Sequence, residues 1–541
     1  MSNTVYLKPN IVAQPLFKSW YAWAYLIAPS TAAMNVVGRH MKIMESYIQA
    51  PFIHAAACQN PEMTGGPFMD LGGQSVDEIR ALLEDTRKDQ ADLIKLEKSI
   101  RELMSMLEAE AKGYSIESLY HKIPEDLKGY VELVYDLENN ASFRFIEPLL
   151  YHSKFYRPED QSMAVSLIDS DDRPFVLSTP VLESDDKIHI QKPFASPAWD
   201  QFFQMASEAG DFEDICAKLE IPEGKKALFR EFFTEEAPAP FEAYDGPGAR
   251  VRYFGHACIS VETKNACILV DPVISYGYDA EVSRFTYSDL PECIDFVLIT
   301  HNHQDHVLFE SLLKLRHRIK NIVIPAGGSG TLQDPNLRLI LQKAGFENII
   351  ELRELESLSL ESIKITGIPF LGEHCDLDIR TKLAHLVEFE GSRILFAADS
   401  CNISSELYAH VHKIFGDIDV LFLGMECDGA PLSWLYGPLL PKELPREMDH
   451  SRRLAGSNYQ RGMDIVNQFN FKEVFVYAMG MEPWLKYIMA YNYTEESDPI
   501  IQSNKLMEDC RNKGIRAERL FGEKEILYTV EELEAAHSMS V

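Results

Sequence analysis

The sequence predicts two α+β domains, the second an αββα sandwich in which helices cover two sheets. Three observations predict it. The chain has 541 residues, well beyond the ~250–300 at which a single hydrophobic core stops growing. Residues 236–248 are rich in Pro, Ala, Gly and acid, the composition of a linker. Beyond them, short apolar strand patterns alternate with amphipathic helical ones, the order expected of sheets layered with helices. The expected division is an N-terminal domain at 1–235, a linker at 236–248 and a C-terminal domain at 249–541.

In the N-terminal part the clearest helix is Val76–Ala111, where Ile79, Leu83, Leu93, Leu96, Ile100 and Leu103 recur at helical spacing between charges. Ala164–Ile168 and Phe175–Leu177, separated by the Asp-rich stretch Asp169–Arg173, read as a β-hairpin. Asp211–Leu219 and Gly224–Phe233 read as short helices.

After the linker, strands are expected at Val251–Tyr253, Ile259–Thr263, Ala266–Val270, Phe296–Thr300 and Asn321–Ile324. A second series follows at Ser362–Thr366, Leu383–Phe389, Arg393–Ala397, Val420–Leu423 and Glu473–Tyr477. Helices are expected at Leu308–His317, Pro335–Ala344, Ser404–Phe415, Ser457–Phe469 and Ile501–Lys513.

Composition narrows the function classes. With 46% hydrophobic and 25% charged residues the chain is ordinary globular protein. A formal net charge of -31 argues against nucleic acid and anionic membrane as partners. The longest apolar stretch, Ala22–Ala33, is too short to span a bilayer and contains Pro29. The N-terminus lacks the basic and apolar regions of a secretory signal. The 9 cysteines show no CxxC spacing, so a reduced, cytoplasmic protein with free thiols is expected.

The strongest chemical signal is His301-Asn302-His303-Gln304-Asp305-His306, directly after the apolar strand Phe296–Thr300. Alternate residues of an extended segment share a face, so His301 and His303 can hold one metal, and Asp305 and His306, past the turn, a second. Imidazole suits borderline divalent metals, and carboxylate oxygen suits iron or manganese.

The pattern HxHxDH resembles that of the metallo-β-lactamase superfamily. Gly255-His256-Ala257 and Leu269-Val270-Asp271-Pro272 look like the opening strands of that fold, and Phe396–Ser400 like the strand ending in a bridging aspartate. Asp399 is therefore the expected bridge; an N-cap for the next helix is the other role its Asp-Ser-Cys-Asn context suits. The departures matter more. Where hydrolases of the superfamily place a further histidine, this chain has Phe370-Leu371-Gly372-Glu373-His374-Cys375, and Glu373 and His374 are both open as the ligand. Where they place a last histidine, Glu473–Tyr477 runs into Ala478-Met479-Gly480. His450 is a further option from a loop. With Glu373 the set is His301, His303, Asp305, His306, Glu373 and Asp399. So oxygen-rich a set favours iron or manganese over zinc and makes a zinc-bound water a poorer nucleophile.

The stretches Gly424–Leu440, Ser451–Asn458 and Tyr477–Trp484, with a large N-terminal domain, resemble the diiron β-hydroxylases of nonribosomal peptide synthesis. The resemblance implies two non-heme irons held by those six residues, with O2 as co-substrate and an external electron donor. It implies hydroxylation of the β-carbon of an amino acid held as a thioester on a carrier domain of the synthetase, and a homodimer built through the N-terminal domain. Catalytic roles are expected for Glu373, which can change its binding mode, and for Glu426, which can face the metals or a substrate ammonium; a structural ion pair is the other role open to Glu426. Trp434 and Tyr436 can line a substrate pocket or pack on the core. Arg446, Arg452, Arg453 and Arg461 can form a docking patch for an acidic carrier and its phosphate, or pair with Glu443, Glu447 and Asp449. The alternative function is a zinc- or manganese-dependent hydrolase using a metal-bound hydroxide. A non-catalytic scaffold with a relict site is disfavoured by the intact ligand set.

Overall fold

The computed structural model describes residues 4–360 and 363–528. Its centre is a pair of seven-stranded sheets with matching topology. In the first, Lys524–Tyr528, Ala249–Gly255, Cys258–Glu262 and Cys267–Val270 run antiparallel, after which Ile294–Leu298, Ile319–Pro325 and Ile349–Leu352 add in parallel. In the second, Ser357–Leu360, Ile363–Ile368, Ala384–Phe389 and Ser392–Phe396 are antiparallel, and Val420–Gly424, Glu473–Tyr477 and Arg516–Arg519 continue in parallel.

The strand leading to the histidines shows why the sequence folds this way. Phe296 and Leu298 point into the core between the sheets, beside Phe422 and Phe475, while Val297 and Ile299 point to the helical layer. Both faces are buried, so the run is apolar without alternation. The second sheet is covered by Ser405–Phe415, Tyr459–Val466 and Asp498–Asn512. Every strand expected from the sequence of this half is present, with ends shifted by a few residues and Ser362 outside the described residues. Four strands of the two large sheets were missed: Ile349–Leu352, Ser357–Leu360, Arg516–Arg519 and Lys524–Tyr528. All four lie at or next to a sheet edge, where exposed positions bring polar residues that blur the apolar signal.

Two N-terminal expectations are corrected. The long helix is two, Val76–Asp89 and Ala91–Glu110, divided at Gln90, whose φ of −99° and ψ of 20° leave the helical region. Gln90 is buried, and its Nε2 donates to Asp160 Oδ2 at 3.0 Å. The apolar period runs through the break, so the sequence alone reads as continuous. The hairpin is also absent: Gln161–Leu167 pairs with Ile11–Phe17 and Ile188–Ile190, and Phe175–Leu177 forms no strand. The chain after Leu167 is instead drawn to the C-terminal half. Asp171 pairs with Arg284, Arg173 with Glu310, and Val176 N–H donates to the Tyr487 carbonyl.

Residues 236–248 contain no helix or strand, yet the halves are not separately cored. One cluster of buried apolar residues holds Trp23 and Tyr25 together with Leu312, Leu435 and Tyr436. Among the described residues no helix is long and apolar enough to cross a membrane. The polar centre of the junction is Glu310, buried, which accepts from Arg173 Nη1 and Nη2 at 3.0 and 2.8 Å, Tyr21 Oη at 2.9 Å and Tyr276 Oη at 2.7 Å. Breaking a buried pair leaves an uncompensated charge, whereas replacing both partners does not. Glu310→Ala is therefore expected to destabilise the chain by about 3–5 kcal/mol, and Arg173→Met with Glu310→Leu to recover part of that loss, both read by guanidinium denaturation.

Candidate metal centre

The site is organised by Asp271, a fully buried carboxylate at the end of Cys267–Val270. It accepts from Thr300 N–H at 2.8 Å and Thr300 Oγ1 at 2.5 Å, which ties down the end of the neighbouring strand. Its Oδ2 also lies 2.8 Å from His306 Nδ1. With the Thr300 hydroxyl donating to Asp271, the same oxygen accepts from His301 Nδ1 at 3.0 Å. Both imidazoles are thereby held as Nδ1–H donors, leaving each Nε2 with a free lone pair, the arrangement in which a carboxylate orients a metal-ligating histidine. His303 is turned the other way: Nε2 meets Tyr436 Oη at 2.9 Å and Nδ1 faces Glu373 Oε1 at 2.9 Å.

Three sets of donors converge: His301, His303 and Glu373; His301, His306 and Asp399; and His256, Asp305 and His306. Two donors on one first-row cation sit roughly 3–3.5 Å apart. His306 Nε2 lies 3.1 Å from Asp399 Oδ2 and 3.5 Å from Asp305 Oδ2. His301 Nε2 and Asp399 Oδ1 are buried without a hydrogen-bond partner in the protein. Buried polar atoms without partners are rare, and these lone pairs fit a pair of divalent cations.

The electrostatics hold the carboxylates and His301 in their metal-binding forms but draw a proton to His306. Burial pushes the Asp305 carboxyl up, but His306 and His256 override it and hold it well below the usual range. Glu373 is likewise raised by burial and brought down to about 2 by His303 and His374. Burial, and then the surrounding imidazoles, pull His301 well down, so it is neutral. His306 is pushed well up, because Asp305, Asp271 and Asp399 outweigh its burial.

The expected residues thus meet in one place. Asp399 is not a helix cap: the helix that follows, Ser405–Phe415, has Ser404 at its N-cap, and Asp399 faces His306. Gly424 makes room for it, since a Cβ there would lie 2.6 Å from Asp399 Oδ1. Glu373 sits in a loop with positive φ at Glu373, Cys375 and Asp376 (66°, 55° and 57°). His374 is buried beside it but belongs to none of the three sets, and His450 is exposed on Arg446–Ser451. His256 was missed. The Ala478 N–H donates to its carbonyl, so this imidazole enters from the first sheet beside the strand end where the late histidine was sought, and its Nε2 lies 3.2 Å from Asp305 Oδ2. Its motif, Gly255-His256-Ala257, was visible but read only as strand opening.

A pocket of about 40 Å³ opens on the donors and is also lined by Glu426, Trp434 and Tyr491. Glu426 Oε2 accepts from Gly429 N–H at 2.6 Å and Oε1 from Tyr493 Oη at 3.3 Å; it has no ion pair among the described residues. Burial pushes its carboxyl up to about 8. Tyr436 is buried and Trp434 half-buried in the short helix Leu432–Tyr436, not a loop. Among the described residues the expected pairing of Arg452, Arg453 and Arg461 with Glu443, Glu447 and Asp449 is not found. Arg452 Nε donates to the Cys375 carbonyl at 2.8 Å, Arg453 Nη2 to the Gly429 carbonyl at 2.5 Å, and Arg461 Nη1 to Cys401 Sγ at 2.8 Å. These three hold backbone and thiol near the site, and Asp449 is bound to Ser433.

Residues 6–238 match the family model described as the diiron non-heme β-hydroxylase N-terminal domain, and residues 267–430 match a β-lactamase superfamily domain. The chain is 39% identical over 523 residues, covering 95% of it and 98% of the relative, to 4-amino-L-phenylalanyl-[CmlP-peptidyl-carrier-protein] 3-hydroxylase of Streptomyces venezuelae. The crystal structure of CmlA, a diiron β-hydroxylase from Streptomyces venezuelae, superposes with a TM-score of 0.91 at 38% identity over 97% of this chain and 99% of that one. A Glu-to-Asp variant of the CmlA β-hydroxylase gives 0.89 at 38% identity over 97% of this chain and 100% of that one.

Two outcomes are expected from the site itself. Asp271→Asn removes the acceptor that orients His306 and should weaken metal binding about 10–100-fold, read as metal retained per chain after dialysis against a weak chelator. In chelated protein, Glu426 has a folded pKa of about 8 against an ordinary 4.5. Between these values the folded chain holds a proton that the unfolded chain has lost, so stability should fall as pH rises through that window. Glu426→Gln should reduce that slope in urea denaturation across the same range.

Proposed function

The chain belongs to the diiron non-heme β-hydroxylases, and from that we propose that it hydroxylates the β-carbon of an amino acid held as a thioester on the carrier domain of a nonribosomal peptide synthetase. O2 is the co-substrate and an external donor supplies two electrons. His301, His303, Asp305, His306, Glu373 and Asp399 would hold the two irons. The observation that carries the reading is Glu373, whose Oε1 lies 2.9 Å from His303 Nδ1 and whose Oε2 lies 3.8 Å from His301 Nε2. It makes the donor set half carboxylate, which favours iron over zinc. Two irons held there supply the oxygen-activating redox chemistry.

The chain's own residues position and shield. Asp271 and Thr300 fix the His301 and His306 rings, and Tyr436 fixes His303. Leu435, Leu454, Ile488 and Met489 give the pocket apolar walls that exclude water from the reacting carbon. Glu426, already bound to Gly429 N–H and Tyr493 Oη, has a free lone pair to accept from the substrate's α-amino group, and a cation there would hold it ionised.

The test is iron-loaded protein, a chemical reductant and a carrier domain charged with aromatic amino acids, read by mass spectrometry. Gain of one oxygen atom from labelled O2 is the expected result. Glu373→Ala should abolish it, and Glu426→Gln should keep both metals while lowering turnover about tenfold or more. Full activity in Glu373→Ala refutes its assignment. Purification with zinc, and hydrolysis of an ester or thioester without O2, would favour the metal-hydroxide hydrolase instead.

A further inference from the structure

The metal pocket is too small for an aminoacyl thioester and its tether, but a second cavity of about 680 Å³ lies against it, and Trp434 lines both. This outer cavity is built at the junction of the two halves. Phe175, Leu177 and Ile43 of the N-terminal half face Pro438 and Leu444 of the C-terminal half. Its size is that of a site for a molecule of cofactor dimensions, ~300–1,000 Å³.

Its charge is specific. Arg39 and Lys42 both line it, and among the described residues neither has a carboxylate within ion-pair distance, unusual in a chain of net charge -31. Arg39 is half-buried, and desolvation without an acid to offset it pulls its guanidinium down to about 10. One nitrogen, Nη2, donates to the Trp434 and Leu435 carbonyls at 2.7 and 3.0 Å, which leaves the remaining donors for a ligand. Two acids also line the cavity: Asp449 is bound to Ser433, and Glu443 is exposed at the rim. Arg39 lies in a π-helix, Val36–Met41, a rare geometry that recurs at functional sites.

Resting on the carrier-bound substrate proposed above, we propose that this cavity seats the phosphopantetheine arm of the carrier domain. Its phosphate lies on Arg39 and Lys42, its dimethyl and amide portion packs along Leu177 and Leu444, and its thioester end passes Trp434 to the metals. The helix Leu432–Tyr436 stands between: it is held from outside by Arg39 and meets His303 through Tyr436. The arm therefore leans on the element that carries both the inner wall and a metal-ligand contact.

The test is binding of phosphopantetheine and of pantetheine, which lacks the phosphate, to the iron-loaded full chain by calorimetry. Wild type is expected to bind the phosphorylated probe about tenfold more tightly, the effect of one charge-assisted hydrogen bond. Lys42→Glu should erase that difference while keeping pantetheine binding, and Leu444→Trp, which narrows the cavity, should weaken both. No binding to wild type, equal affinity for the two probes, or binding untouched by Leu444→Trp overturns the proposal. The readout is binding, so failure here leaves hydroxylation standing, and a failed carrier assay leaves this site standing.

Discussion

The arrangement turns on a buried hydrogen-bond knot between two parallel strand ends. Asp271 receives the backbone and hydroxyl of Thr300 and the Nδ1–H of His306, and Thr300 receives His301. One carboxylate thus sets the separation of two strands and the tautomer of two imidazoles. Each carboxylate oxygen has a donor, so its burial is compensated. The loop Asn302–Asp305 then has little freedom, and the remaining donors reach the same point from the second sheet, Asp399 at the end of Ser392–Phe396 and Glu373 from the loop after Ile363–Ile368. Two sheets of matched topology bring their strand ends together, and the metals lie where they meet.

The N-terminal half is more than an attachment. Glu310, on a helix of the first sheet's outer layer, collects Arg173 and Tyr21 from that half, and the guanidinium of Arg173 lies 3.5 Å from the Tyr487 ring. Tyr487 is thereby fixed, and with it the neighbouring Ile488 and Met489, which wall the metal pocket. On the other side Arg39 holds Leu432–Tyr436. A metallo-β-lactamase core alone would leave the strand ends open to water, as metal-hydroxide chemistry needs. Here Leu435, Leu454, Ile488 and Met489 close them, and the N-terminal half holds the elements that carry Leu435, Ile488 and Met489.

Much of this was legible because it rests on local pattern. Phe296–Thr300 followed by three histidines and an aspartate reads directly, since both faces of the strand are buried and the ligands crowd one turn. Asp399 and Glu373 were legible only by resemblance: no spacing in the sequence says that a carboxylate about seventy and another about a hundred residues on return to His301. His256 was missed for the complementary reason, being a single imidazole in a turn whose partner, Asp305, is distant in sequence. The break at Gln90 and the false hairpin fail alike. Local periodicity cannot register a buried contact to Asp160, or a loop drawn away by Arg284 and Glu310. The arginines around Arg452 looked like surface charge because sequence does not show that their partners are carbonyls.

The same accounting explains why so acidic a chain buries three carboxylates within a few ångströms of one another. Their mutual repulsion and desolvation together oppose folding. The upward push on His303 and His306 shows the local field drawing protons to offset them. Divalent cations meet the same demand with more charge at shorter distance, and their binding therefore releases those protons. The carboxylates that make the site selective for oxygen-loving metals thus also make it dependent on them. The imidazole His301, pulled well down by burial and then by its neighbours, is the donor ready without proton loss, and it is the one shared by the sets that contain Glu373 and Asp399.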